Sequence, residues 1–135
     1  MIPKFRAWLK NDKEMIEADE IHWDRGELDF IGDAITFMRK ADEIELMQST
    51  GLHDKNGQEI FEGDIVETTW LKDNNDMSGY RKRGEVVCLP GYAGVRYEGE
   101  ELGEIYQELL FSIEPEIIGN VYQNPELLEA ANDRD

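Results

Sequence analysis

Apolar and polar residues alternate over short stretches along most of the chain. In "KFRAWL", Phe5, Ala7 and Leu9 fall on one side of an extended segment and Trp8 on the other. That pattern predicts a strand with one face on a core. "IHWDRGELDF" alternates in the same way and breaks at Asp24-Arg25-Gly26, a hairpin signal. "AITFM" and "IELMQST" supply two further strand candidates. Ile35, Met38, Ile44 and Met47 nearly fit a helical stripe, so a helix across Ala34 to Met47 stays open as the alternative. Few leucines and the presence of threonine favour strands.

From Gly51 onward the punctuation is sharper. Asn56-Gly57 is the strongest short turn signal in the chain, and "GDIVETTWL" follows as a β-rich run. "DNNDMSG", Asp73 to Gly79, reads as a polar loop. "GEVVCL" is a strand stopped by Pro90-Gly91, and "YAGVRYE" is the next. "EGEELGE" reads as an acidic loop, "IYQELLFS" as a strand or one helical turn, and "EIIGNVY" as the last strand. Asn124-Pro125 then opens a short helix, "PELLEAA", with Asn124 as cap and Pro125 at the first position. Short strands at close spacing predict a small barrel or sandwich. A Gly63-Asp64 pair before an apolar strand suits entry into a small SH3-type barrel, because glycine permits the sharp turn and the aspartate can bond nearby amides.

The expected fold is therefore mostly β. Residues 1–50 form an N-terminal β region, 51–125 a small SH3-type barrel, and 126–135 a short C-terminal helix and tail. The expected core includes Ile65, Val66, Val86, Val95, Ile117 and Val121.

Composition supports a packed chain: 40% of the 135 residues are hydrophobic and 10% aromatic, which separates it from disordered sequences despite 33% charged residues. The charge is lopsided, with 31 acids against 14 bases and a net charge of −17. Such a field favours solubility and opposes duplex DNA and anionic membranes. The single cysteine, Cys88, rules out an intramolecular disulfide and suits a reducing cytoplasm. No apolar run approaches the ~20 residues of a membrane helix, and the N-terminus does not read as a signal peptide. The expected location is the cytoplasm, with no membrane contact.

"STGLHDKNGQEIFEGDIVE", Ser49 to Glu67, invites a metal reading, with an Asp, an Asn two places on, a Gly and then a Glu. A calcium loop begun at Asp54 has Asn56 in place at its third position. It then has Gln58 at the fifth, Glu59 where glycine is required, and Ile65 where the closing Glu should stand. The residues describe two successive turns instead, at Asp54 to Gly57 and at Glu62-Gly63-Asp64.

The same residues carry a family likeness. "ELMQSTGLHDKNGQEIFEGDIVE" resembles the signature of the YopX family of phage and prophage proteins. "KFRAW", Lys4 to Trp8, resembles that family's opening, and "EIIGNVYQNPELLE", Glu116 to Glu129, its closing segment. The resemblance implies a mostly β protein with an SH3-type barrel in its second half, made in a bacterial host cell. It carries over no catalytic residues, and no cofactor is expected.

Other candidate chemistry is sparse. His22 and His53 lack partners at zinc spacing. Cys88 sits in an apolar run and reads as a small buried hydrophobe rather than a nucleophile. "YRKRG" stands out, because Arg81, Lys82 and Arg83 are consecutive bases in an acidic chain. With Tyr80 and Trp70 as stacking surfaces they form a candidate interaction surface. The plain alternative is that they neutralise nearby acids across a hairpin, or meet the acidic face of a second copy. Glu98, Glu100, Glu101, Glu104, Glu108, Glu114 and Glu116 fall in a stretch without Lys or Arg. That stretch is either a solvated rim or an imitation of DNA phosphates.

The leading function class is thus an accessory or interaction protein without evident catalysis. Its expected partner is another protein or itself, as a homo-oligomer, with no duplex DNA and no small-molecule substrate. The alternatives are a DNA-mimicking inhibitor of a host nucleic-acid enzyme and an enzyme whose site of ordinary Asp, Glu and Tyr residues has no readable spacing.

Overall fold

The computed structural model describes residues 4–70, 80–99 and 103–128. Within these described residues the alternating segments become twelve strands: β1 Phe5–Leu9, β2 Glu14–Glu17, β3 Ile21–Asp24, β4 Glu27–Gly32, β5 Met38–Lys40, β6 Ile44–His53, β7 Glu59–Phe61, β8 Asp64–Trp70, β9 Tyr80–Leu89, β10 Tyr92–Gly99, β11 Gly103–Glu108 and β12 Ile113–Asn120. The protein is mostly β, with a short helical stretch at residues 126–128. Two compact units divide between Ser49 and Thr50.

In the first unit, β1 lies between β2 and the first half of β6, with Ala7 opposite Ile16 on one side and Leu46 on the other. A separate three-stranded sheet has the order β3-β4-β5. Its hairpin turns at Arg25-Gly26, between the register partners Asp24 and Glu27. His22 pairs with Phe30 and Trp23 with Leu28, so Asp29 is an extra residue, a bulge that bends β4. The core of this unit gathers Ala7, Leu9, Ala18, Ile31 and Ile44. The alternation predicted for β1 is the one observed, with Ala7 and Leu9 buried and Trp8 less so.

In the second unit the end of β6 lies beside β7, and a five-stranded antiparallel sheet runs β11-β10-β9-β8-β12. Ile60, Val66, Val86, Val95, Tyr97 and Leu109 form its core. Each such aliphatic side chain contributes roughly 1.5–3 kcal/mol by leaving water. Ile65, Val66, Val86 and Val95 are fully buried, as the apolar runs predict. Ile117 and Val121 are only half-buried. Register shifts interrupt β12 on either side of the Glu116–Ile117 pairing, and Val121 already belongs to a turn. A broken register does not hold every alternate residue inward.

Several boundaries differ from expectation. "AITFM" is not a strand: Asp33 to Phe37 form a loop, and β5 starts at Met38. Aspartate bonding to the following amides removes those amides from any ladder. The helical alternative across Ala34 to Met47 also fails, apart from one 3-10 turn at Ala41–Glu43. "EGEELGE" is not wholly a loop, since Glu98 and Glu104 are register partners on β10 and β11. The strand at "GEVVCL" begins earlier, at Tyr80. Asn124 does not turn its side chain into the helix: its Oδ1 accepts the Asn120 amide at 3.2 Å. The expected loop Asp73 to Gly79 and the tail beyond residue 128 lie outside the described residues.

Candidate functional site

Arg81, Lys82 and Arg83 lie inside β9, and strand geometry separates them. Neighbours in a strand point to opposite faces, so the three do not make one basic patch. Arg81 Nη1 donates to Thr69 Oγ1 at 2.7 Å and to the Glu114 carbonyl at 3.0 Å, and Nη2 donates to the Glu67 carbonyl at 2.8 Å. Its Nε is 3.5 Å from Glu67 Oε1, and its Nη2 is 3.7 Å from Glu116 Oε1. Arg83 Nε donates to Glu67 Oε2 at 3.2 Å, and its Nη1 donates to the Leu127 carbonyl at 3.3 Å. Lys55 Nζ extends the series, 3.5 Å from Glu116 Oε1.

The result is an alternating ladder, Lys55–Glu116–Arg81–Glu67–Arg83, running from the turn between β6 and β7 over β12, β8 and β9. Lys82 takes the other face, with its ammonium 5.2 Å from the centre of the Tyr97 ring. Trp70 and Tyr80 are register partners at the ends of β8 and β9. Their side chains lie outside the described part of the structure. The sequence signalled the basic residues but not their partners, because Glu67 and Glu116 are distant in the chain and acids abound.

The loop that suggests calcium has a different use. Asp54 is buried, 7% exposed. Its Oδ1 accepts the amides of Asn56 and Gln58, both at 2.9 Å, and its Oδ2 accepts the amide of Ile117 at 3.0 Å. Lys55 N donates to the Pro115 carbonyl at 2.8 Å beside it. Burial would raise the carboxyl pKa, but the bonds from Ile117, Gln58 and Asn56 and the nearby Lys55 charge outweigh it and lower the value below 3.8. The next turn repeats the device: Asp64, also buried, accepts the Phe61 amide at 2.8 Å. Gly63, at φ 88°, donates to the Val86 carbonyl and accepts from Val121 N, a backbone position that suits glycine. Among the described residues no group of three or more His, Cys, Asp or Glu could hold a metal ion.

Asp33 organises the other aspartate loop. Its Oδ1 accepts the amides of Ile35, Thr36 and Phe37 at 2.8–3.0 Å, and its Oδ2 accepts the Thr36 hydroxyl at 2.5 Å. The Thr36 hydroxyl, followed by these amides, pulls its pKa well below the usual carboxylate range. Ile35 at the loop tip is 89% exposed. A cleft of about 180 Å³ lies alongside, lined by residues 16–20, 31–33 and Phe37. It is small beside the roughly 300–1,000 Å³ of ordinary ligand pockets.

His22 and Cys88 are the remaining candidates. His22 stacks on Phe30 at 4.1 Å, and its Nε2 lies 3.1 Å from the Gly32 carbonyl. Cys88 is exposed rather than buried, because it stands two residues before the Pro90-Gly91 turn, at the end of the sheet. Partial burial of its thiol and the Glu62 carboxylate raise the thiol pKa, the reverse of what an activated nucleophile needs. In the acidic stretch Glu98 to Glu116, Glu108 and Glu114 are exposed and Glu116 is spent in the ladder. The side chains from Glu98 to Gln107 lie outside the described residues.

The family model described as "YopX protein" matches residues 4–129. The chain belongs to the YopX family. The crystal structure of protein EF1440 from Enterococcus faecalis is similar to it, with a TM-score of 0.65 and 30% sequence identity over 95% of this chain and 99% of that one. No curated protein matches. The YopX-like segments of the sequence are thereby given physical roles. Lys4 to Trp8 supply most of β1. Ser49 to Glu67 supply the two aspartate-held turns. Glu116 to Glu129 supply most of β12 and the turn in which Asn120 Oδ1 accepts the amides of Tyr122 and Gln123. Asp54 joins the second of these segments to the third.

Proposed function

We propose that this YopX-family chain is a phage or prophage accessory protein that works by binding another protein rather than by catalysis. The observation that carries this reading is where the positive charge goes. Arg39, Arg81, Arg83, Arg96, Lys10 and Lys55 all have acidic partners within the chain. With 31 acids to 14 bases, the unspent charge is overwhelmingly negative, and a partner with a basic face would be steered toward it. Self-association through Arg81 to Arg83 is a weaker form of the reading, since two of those three bases already hold carboxylates.

The proposal includes an SH3-type barrel in the second unit. A four-strand meander, β8 to β11, is followed by one 3-10 turn at Leu109–Phe111 and by β12, which returns beside β8. That order supports the barrel.

The test is capture from a bacterial host lysate with the tagged full-length chain, followed by reconstitution with each purified candidate over a sodium chloride series. A stoichiometric complex that weakens as salt rises is the expected result. Failure of every purified candidate to bind at low salt would overturn the reading. The same acidic excess favours a second reading, imitation of DNA on a nucleic-acid enzyme. Displacement of the bound partner by duplex DNA separates the two.

A further inference from the structure

Asn56 and Gly57 form a dipeptide disposed to cyclise without any enzyme. The glycine amide nitrogen, once it loses its proton, attacks the asparagine Cγ. A nitrogen–Cγ bond forms, the Cγ–Nδ2 bond breaks, and ammonia leaves. Water then opens the succinimide at either carbonyl, giving isoaspartate or aspartate. No oxidant or cofactor is needed. The step does require a free Gly57 N–H and an Asn56 backbone able to bring Cγ onto that nitrogen.

The turn withholds both requirements. Gly57 N donates to the Asp54 carbonyl at 3.0 Å, so its proton is held. The amides on either side of it, of Asn56 and Gln58, are fixed on Asp54 Oδ1, and Asp54 N closes the loop onto the Gln58 carbonyl at 2.8 Å. Asp54 is itself pinned by the Ile117 amide of β12. Asn56 and Gly57 are exposed, so water reaches them and access does not limit the reaction. A carboxylate beside the amide further opposes its deprotonation.

We infer that Asn56 is a latent deamidation site that Asp54 keeps closed, and that it reacts when Asp54 releases Ile117. The change is one-way. Isoaspartate adds a methylene to the main chain of a turn whose size is set by its hydrogen bonds, and either product places a second carboxylate close to Asp54.

The test follows the full-length chain in mildly alkaline buffer and in unfolding urea at one pH, with peptide mass mapping at Asn56. The expected rate in buffer is lower by about tenfold or more, equivalent to an opening cost of about 1.4 kcal/mol. Equal rates would overturn the inference. Asp54→Asn should bring the buffer rate up toward the urea rate. Should that variant not fold, hydrogen exchange on the wild type decides: slow deamidation with an unprotected Gly57 amide would show that the Asp54 cage is not the cause.

Discussion

Asp33 and Asp54 do the same chemistry in two regions and achieve different things. Each carboxylate collects three backbone amides, and each is held below its ordinary pKa by doing so. Every bond to Asp33 comes from the next four residues. Asp54 takes two local bonds and then one from Ile117, 63 positions away. The first arrangement shapes a loop. The second also ties a hairpin turn to another strand, and it does so out of water, where an unpaired partner is expensive. The difference teaches that reach and burial, more than the number of bonds, decide how much of the fold an aspartate supports.

The sharpest way to break that comparison is Asp54→Ala. It strands the amides of Asn56, Gln58 and Ile117 together, and a loss of about 3 kcal/mol follows from charged hydrogen bonds of this kind. Urea denaturation gives the loss, and amide exchange at Ile117 should accelerate with it. A loss under about 1 kcal/mol would mean that water replaces the carboxylate and that the long reach counts for little.

Acid tests the same contact more gently. The folded carboxyl sits below its ordinary 3.8, so its contribution is complete above that value and fades as pH falls toward the lowered one. The stability gap between wild type and Asp54→Asn should therefore be widest near neutrality and shrink below about pH 4. A gap that stayed constant down to strong acid would show that charge is not what the amides are bonded to.

The contrast also explains what could be read from residues alone. Asn56-Gly57 and Gly63-Asp64 announced turns, because glycine and aspartate act on their immediate neighbours. The runs around Ile65, Val66, Val86 and Val95 announced a core, because a short unbroken run of β-branched apolar residues between turn signals marks a buried strand. The role of Asp54 was out of reach, since nothing local points to Ile117. The same limit hid the ladder: Arg81, Lys82 and Arg83 look like one patch in a line of text, and only their alternation within β9 sends Lys82 to Tyr97 and the arginines to Glu67. "AITFM" misled for the opposite reason. Its apolar residues suit a strand, but Asp33 takes the amides a strand would need.

Asp33→Ala should show the local arm of the comparison. Amides of Ile35, Thr36 and Phe37 lose their acceptor and should exchange faster, while those of Ile117 and Gln58 do not change. The urea midpoint should move less than it does for Asp54→Ala, because the loop is exposed and water can take over the freed amides. A midpoint shift as large as that of Asp54→Ala would erase the distinction between the two aspartates.

The smallest effect belongs to Ala34, and it tests whether Asp33 imposes the loop or merely accompanies it. Ala34 sits at φ 66°, a left-handed conformation that costs a residue with a Cβ about 1 kcal/mol. Glycine removes that strain but gains freedom in the unfolded chain, worth roughly 0.5–1 kcal/mol in the other direction. Ala34→Gly should therefore leave stability level or raise it by a few tenths of a kcal/mol at most, about the difference between those two terms. Its use lies in combination. If the Asp33 bonds force Ala34 into this region, then in the Asp33→Ala background the loop relaxes, no strain remains to relieve, and glycine becomes a net cost. Urea midpoints of the four chains measure that coupling. An identical effect of Ala34→Gly in both backgrounds would mean that the neighbouring Phe37 carbonyl, which accepts the Ala34 amide at 3.1 Å, holds the backbone without help from Asp33.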